Sequence, residues 1–224
     1  MHEILDVLKT LLSKPDVLMN WIANHGGFYM VMFIIFAETG LFVGFFLPGD
    51  SLLFVTGLAI ANAKPGTPFG DNPLLNLLYW IVLITIAGVA GNLVGYWFGN
   101  KSGHLLMKRK DTFFFKKKHL QQAHDFYEKK GGMAILLARF LPIVRTFAPI
   151  VGGMVDMNYK TFIRYNILGC LAWVVSMTSA GYLLGENVWV KNNLEKIVIG
   201  LILVTTGPVL FKMFFSKKKE TPAA

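Results

Sequence analysis

Phe46-Leu47-Pro48-Gly49-Asp50-Ser51-Leu52-Leu53 is the stretch that decides how this chain folds. It interrupts an apolar run from 28 to 63 whose only charged residues are Glu38 and Asp50. As one helix rising about 1.5 Å per residue, that run would be about 54 Å long, against a hydrocarbon core of about 30 Å. It has to break. Pro48 removes a backbone donor, Gly49 supplies freedom, and Asp50 or Ser51 can cap the helix that follows. The piece after the break is too short to span a membrane alone. The run 28–63 therefore reads as a re-entrant hairpin: a helix in, a turn at depth, and a half-helix out.

Beyond a polar loop with Lys64-Pro65-Gly66, residues 74–99 are predicted to form a transmembrane helix, uncharged from Leu74 to Phe98. Ala87, Gly91, Gly95 and Gly99 recur every four residues along it, a small-residue ridge on which another helix can pack closely. Residues 100–132 carry nine Lys or Arg against three Asp or Glu and read as a cytoplasmic connector. Its His119 and His124 are five apart, off the spacing that puts two metal ligands on one helical face, so no metal site is expected. Residues 133–155 are apolar again but hold Arg139, Pro142, Arg145 and Pro149, which predicts a second re-entrant segment. A second transmembrane helix follows over 162–185, with Ala172, Ser176 and Ala180 as its ridge. A third is predicted over 194–215, ahead of a basic cytoplasmic tail, 216–224. Residues 1–25 lack the basic start and apolar core of a signal peptide; Ile4, Leu5, Leu8, Leu11 and Leu12 suggest an amphipathic helix at the membrane surface.

Composition agrees with a membrane class: 54% of residues are hydrophobic, 16% are charged, and the mean hydropathy is +0.51. The net charge of +9 is concentrated in 101–130 and 212–219, each beside a long apolar run, which argues for cytoplasmic loops and against a nucleic-acid partner. Cys170 is the only cysteine and reads as a buried, inert thiol. No nucleophile elbow, zinc-binding His-Glu-x-x-His or phosphate-binding glycine loop is present, so neither an enzyme nor a cofactor is expected.

The two halves repeat one order: a broken, charged apolar segment, then a full span ending in Gly-Tyr-x-x-Gly. The endings are Gly95-Tyr96-Trp97-Phe98-Gly99 and Gly181-Tyr182-Leu183-Leu184-Gly185. With both basic regions inside, the first span crosses inward and the second outward, so the halves are inverted. The expected fold is thus all-α and polytopic: two inverted-topology repeats, each a re-entrant helical hairpin plus a transmembrane helix, with an N-terminal amphipathic helix and a C-terminal transmembrane helix. Paired interrupted segments in corresponding halves point to a transporter site near the midplane.

Four ionisable residues lie within the apolar segments: Glu38 and Asp50 in the first half, Arg139 and Arg145 in the second. An intramembrane charge costs at least about 2.5 to 3.5 kcal/mol on insertion scales, so each calls for pairing, hydration or a task. Guanidinium matches phosphate oxygens bidentately, which makes Arg139 and Arg145 candidates for an anionic lipid headgroup. Glu38 and Asp50 are candidates for proton exchange, because a low-dielectric surrounding disfavours ionised carboxylates. The plainer reading is a set of static ion pairs between the hairpins. Asp50 can also be the cap of the half-helix. Asn92, Asn166 and Trp173 can line a cavity, or supply interhelical hydrogen bonds and packing.

Phe36-Ala37-Glu38-Thr39-Gly40-Leu41 with Phe46 to Leu53 resembles the first signature of the DedA family, also called the SNARE-associated or VTT domain. Phe126 to Gly132, then Ala138-Arg139-Phe140-Leu141-Pro142-Ile143-Val144-Arg145-Thr146-Phe147-Ala148-Pro149 with Gly152, Gly153 and Met154, is similar to the second. Phe162, Asn166, Gly169 and Trp173 continue the pattern, and the likeness covers about 28–190. The resemblance implies a multi-pass protein of the bacterial inner membrane with two opposed re-entrant loops, in which the positions of Glu38, Asp50, Arg139 and Arg145 are required. It implies a lipid transporter, with undecaprenyl phosphate or a related anionic phospholipid as substrate and protons as coupling partner. Where many members carry an acid in the first span, this chain has Gly91-Asn92. Two other readings of the same residues are a proton-coupled transporter of small solutes or cations, and a non-transporting scaffold whose basic loop recruits partners.

Overall fold

The computed structural model describes residues 27–40, 49–62, 68–69, 72–107, 125–127 and 129–185, with isolated positions between 187 and 200. The N-terminal helix predicted over 1–25, the turn at Pro48, most of the basic connector, and nearly all of the predicted C-terminal helix and tail lie outside the described residues. Among the described residues the fold is all-helical, with no strand. Its helices are α1 (Gly27–Gly40), α2 (Gly49–Ala61), α3 (Pro73–Met107), α4 (Met133–Ala138), α5 (Pro142–Met154) and α6 (Tyr159–Leu184).

Two of them, α3 over Pro73–Gly103 and α6 over Tyr159–Leu184, are long and apolar enough to cross a membrane. Their starts are capped: Asn72 Oδ1 accepts from the Leu75 amide ahead of Pro73, and Asn158 Oδ1 accepts from the Thr161 amide, each at 3.1 Å. Helix α3 runs on to Met107, eight residues past the predicted end of the span. Polar residues prolong it readily because Lys101, one turn beyond Trp97, lays its ammonium 5.2 Å from the indole centroid. The other helices, at 14, 13, 6 and 13 residues, are each too short to span.

The second interruption falls at Arg139-Phe140-Leu141, between α4 and α5. Its cause is local: the proline ring at 142 pushes the preceding Leu141 to φ −109°, ψ 111°, extended backbone that ends a helix, while Pro142 itself fits the first position of the next one. Pro149 lies within α5, so the carbonyl of Arg145, four residues back, has no amide to accept from there.

Glycine contacts fix how the helices run against one another. Gly91 of α3 meets the backbone of Phe36 and Gly40 in α1, while Phe28 stacks on Trp80 with ring centroids 4.5 Å apart, so α1 and α3 run parallel. Gly57 of α2 meets Thr178 and Tyr182 of α6 between the contacts of Asp50 with Trp173 and of Ala61 with Gly185, so α2 runs parallel to α6. Helix α4 lies along α6, Gly132 against Tyr165 and Gly169 against Leu136; α5 lies along α3, Gly99 against Ile150 and Gly153 against Tyr96 and Asn100. The spans are antiparallel, with Tyr96 stacked on Phe162 at one end and Thr85 beside Cys170 at mid-length. The short helices α2 and α5 therefore pack on α6 and α3, and the two Gly-Tyr-x-x-Gly runs supply the surfaces on which this happens.

One predicted ridge is corrected. Ala87, Gly91, Gly95 and Gly99 are all buried, and the row continues to Gly103 against Met154. On α6, however, Ala172 and Ser176 face outward. The buried face is Asn166, Gly169, Cys170, Trp173, Thr178 and Gly181, because the close approach of α2 is made through Gly181 and Gly185. Small residues mark an interface only when they also lie on the side toward a neighbour.

Candidate functional site

The two interruptions meet. Glu38 ends α1, Asp50 begins α2, Arg139 ends α4 and Arg145 lies in the first turn of α5, and all four side chains are buried among protein. They sit near the middle of α6, beside Cys170 and Trp173. By helix rise, about 17 Å of α6 precedes Cys170 and about 21 Å follows it.

Arg145 takes both acids. Its Nη1 donates to Asp50 Oδ1 at 2.6 Å and its Nη2 to Glu38 Oε1, so one guanidinium joins the two sides of the first interruption. Asp50 Oδ1 also accepts from Trp173 Nε1 at 2.7 Å. Gly49 leaves room for this arrangement, since a Cβ there would enter the Glu38 carboxylate. Arg139 is placed differently. Its Nη2 donates to Cys170 Sγ at 3.1 Å, and its Nε and Nη1 have no hydrogen-bond partner among the described residues. Both guanidiniums lie over Trp173, 4.8 Å (Arg139) and 4.9 Å (Arg145) from the ring centroid, where the π face favours a desolvated cation. Trp173 thus serves the two arginines with its face and Asp50 with its edge.

Next to this cluster, Asn92 of α3 and Asn166 of α6 are joined by a 2.5 Å hydrogen bond, and Asn166 Nδ2 donates to the Val89 carbonyl at 3.3 Å. One narrow cleft is lined in part by Asn92, Arg139, Arg145, Tyr165 and Asn166. It is narrower than a water molecule in this conformation.

The sequence singled out most of these groups and offered ion pairs between the acids and the arginines, but not that one arginine holds both acids. Glu38, Asp50, Arg139, Arg145 and Trp173 converge; Asn92 and Asn166 form the interhelical bond considered for them and also line the cleft. Pro48 lies outside the described residues. Pro142 starts α5, and Pro149 packs toward Gly95 of α3. Gly152 has ordinary clearance, its nearest neighbours 3.7 and 3.8 Å from a built Cβ, whereas Gly153 receives the backbone of Tyr96 and Asn100. Cys170 is buried, as the sequence suggests, yet it is not inert packing: among the described residues it is the hydrogen-bond partner of the Arg139 guanidinium. Its position four residues after Asn166 and three before Trp173 puts it on the same helical face, a signal present in the sequence.

The VTT domain family model matches residues 47–183, which takes in α2 through α6. Protein DedA of Escherichia coli K12 is 42% identical over 205 residues, covering 91% of this chain and 90% of that protein. An uncharacterized membrane protein of Mycobacterium leprae is 37% identical, covering 96% and 95%, and the inner membrane protein YqjA of Escherichia coli K12 is 35% identical, covering 72% and 69%. No solved structure matches the chain. With its interrupted helices, its long apolar spans and these relatives together, the chain belongs to the DedA family of VTT-domain proteins and resides in the bacterial inner membrane.

Proposed function

We propose that this protein is a transporter and not an enzyme, and that it carries an anionic lipid, undecaprenyl phosphate or a related phospholipid, across the cytoplasmic membrane with proton coupling. The observation that carries the reading is Arg139: a buried guanidinium near the middle of α6 that, among the described residues, has two donor nitrogens unpartnered and no carboxylate bound to it. A permanent cation held this way needs an anion, and a phosphate headgroup fits its planar fork. The acyl or prenyl chain stays in lipid while the headgroup crosses.

In this reading α1–α2 and α4–α5 are re-entrant hairpins entering from opposite sides, and the chain is an inverted repeat. Support comes from the exchanged packing of α2 on α6 and α5 on α3, and from the meeting of the two interruptions at Arg145. Irregular backbone at membrane depth is tolerable where protein encloses it.

Charge balance supplies the coupling. Two arginines and two carboxylates sum to zero when all are ionised. An anion on Arg139 leaves the cluster negative, and a proton taken up by Glu38 or Asp50 restores neutrality and loosens Arg145. That loosening opens the narrow cleft. Proteoliposomes loaded with labelled undecaprenyl phosphate test the proposal: translocation is expected to stop in Arg139→Ala and Arg145→Ala and to acidify the receiving side. Unchanged translocation in both variants refutes it. Proton flux that depends on a soluble solute instead assigns the protein to small-molecule transport, and a phenotype that needs only the basic connector assigns it to scaffolding.

A further inference from the structure

The Asn92–Asn166 pair has a fixed polarity. The Val89 carbonyl can only accept, so the group facing it is Asn166 Nδ2 at 3.3 Å. Asn166 then presents Oδ1 to Asn92, whose Nδ2 donates to it at 2.5 Å. Asn92 Oδ1 is left over. Asn92 is 2% exposed, and this oxygen has no hydrogen-bond partner. The same cleft is bordered by Arg139, 3% exposed, whose Nε and Nη1 are also unpartnered. Buried polar atoms without partners are rare. Among the residues lining this cleft one unpartnered acceptor, Asn92 Oδ1, accompanies the unused donors of Arg139 and Arg145 Nε, while the other unpartnered acceptor of the cluster, Glu38 Oε2, is on a residue outside the lining. A fully ionised phosphate or a phosphodiester satisfies the arginine but offers Asn92 nothing. A phosphate monoester in its singly charged form offers both an oxyanion and an O–H.

We infer that Asn92 is a specificity residue: its Oδ1 accepts the P–OH of a singly protonated phosphate monoester whose other oxygens are held by Arg139, so that a proton enters the site on the headgroup itself. This rests on the anionic-lipid reading above and adds the choice of ester and of charge state. One negative charge then meets Arg139, the guanidinium at the cleft to which no carboxylate is bound among the described residues. The ionisable groups around the cleft are Glu38 from α1, Asp50 from α2, Arg139 after α4, Arg145 from α5, and Tyr165 and Cys170 from α6. Their titration changes affinity for any singly charged headgroup alike, so a ratio between two such headgroups isolates Asn92.

The test measures binding of dodecyl phosphate and dodecyl methyl phosphate to the full-length protein in detergent. At about pH 5, below the second phosphate ionisation near 6, both ligands carry one negative charge but only the monoester has an O–H. The wild-type protein is expected to prefer the monoester by roughly tenfold, the effect of leaving one buried acceptor unpaired. The preference should shrink as the pH rises through the second ionisation, and Asn92→Leu should bind both ligands equally. Equal wild-type affinities at about pH 5, or an undiminished preference in Asn92→Leu, overturn the inference and leave the headgroup reading standing. The wild-type ratio decides even if the variant does not fold. If neither ligand binds, or if Arg139→Gln binds both as well as wild type does, both proposals fall.

Discussion

Arg145 and Arg139 bring the same charge to the same ring of Trp173, yet their surroundings make them different residues. Removing Arg145 leaves two carboxylates buried without their cation, a loss that costs about 3 to 5 kcal/mol when one member of a buried pair is deleted. Removing Arg139 abandons a thiol contact and a stacking contact but also relieves two unpartnered donors. In detergent, Arg145→Gln is therefore expected to lower the unfolding temperature markedly, while Arg139→Gln changes stability by about 1 kcal/mol or less. Both should lose transport. Equal destabilisation by the two variants would show that the acids do not depend on Arg145. Two acids and two arginines, of complementary sign, were legible in the apolar segments; the two-to-one pairing was not. Which acid reaches which arginine depends on distances among four elements, and sequence spacing carries none of them.

At the scale of elements, glycines set the approach distances. Gly57, Gly99 and Gly153 each admit the backbone of a neighbouring helix, so Ala at any of them forces the helices apart, with overpacking costs of about 1 to 3 kcal/mol or more. Gly152→Ala, at ordinary contact distances of 3.7 and 3.8 Å, should be tolerated. Unfolding temperatures of the four variants check the contrast, which fails if Gly152→Ala is as damaging as Gly153→Ala. Tyr127, in the short helical stretch before α4, ties that stretch to α5 by donating to the Ala148 carbonyl at 3.0 Å. Burial pushes its phenol up from 10.0 to about 12. The folded protein thus keeps a proton that the unfolded chain loses first. The stabilisation is complete below pH 10.0 and is lost as the pH rises toward about 12. Tyr127→Phe should be less stable at neutral pH by about 1 kcal/mol and show a shallower alkaline decline, read from denaturation at a series of pH values.

At the scale of the whole molecule, the end of α3 and the start of α6 lie together, the rings of Tyr96 and Tyr159 being 5.8 Å apart. At the other end, Asn62 after α2 donates to the Gly185 carbonyl at 3.1 Å. Basic residues gather at the first of these ends, with Lys101, Lys160 and Arg164 all near it, so that end is expected to face the cytoplasm. A cysteine introduced at Lys101 or Lys160 should react with an impermeant maleimide only after the cells are permeabilised. One at Phe69 or Trp189 should react in intact cells. Cys170 is buried and adds little background. Labelling of all four positions from the same side would exclude this orientation.

By itself the sequence determined the membrane class, the spans at α3 and α6, the break before Pro142 and the four charged residues. These follow from run length, proline geometry and the cost of charge in hydrocarbon, which are local properties of the chain. The glycine ridge of α3 was likewise legible, whereas the ridge assigned to α6 was not, since small residues recur on both of its faces. Only the tertiary structure decided that Arg145 holds both acids, that Cys170 partners Arg139, and that Asn92 keeps an unpaired acceptor. Each of these depends on where one helix meets another, and that placement is set by packing among residues up to 123 positions apart, as Trp173 and Asp50 are.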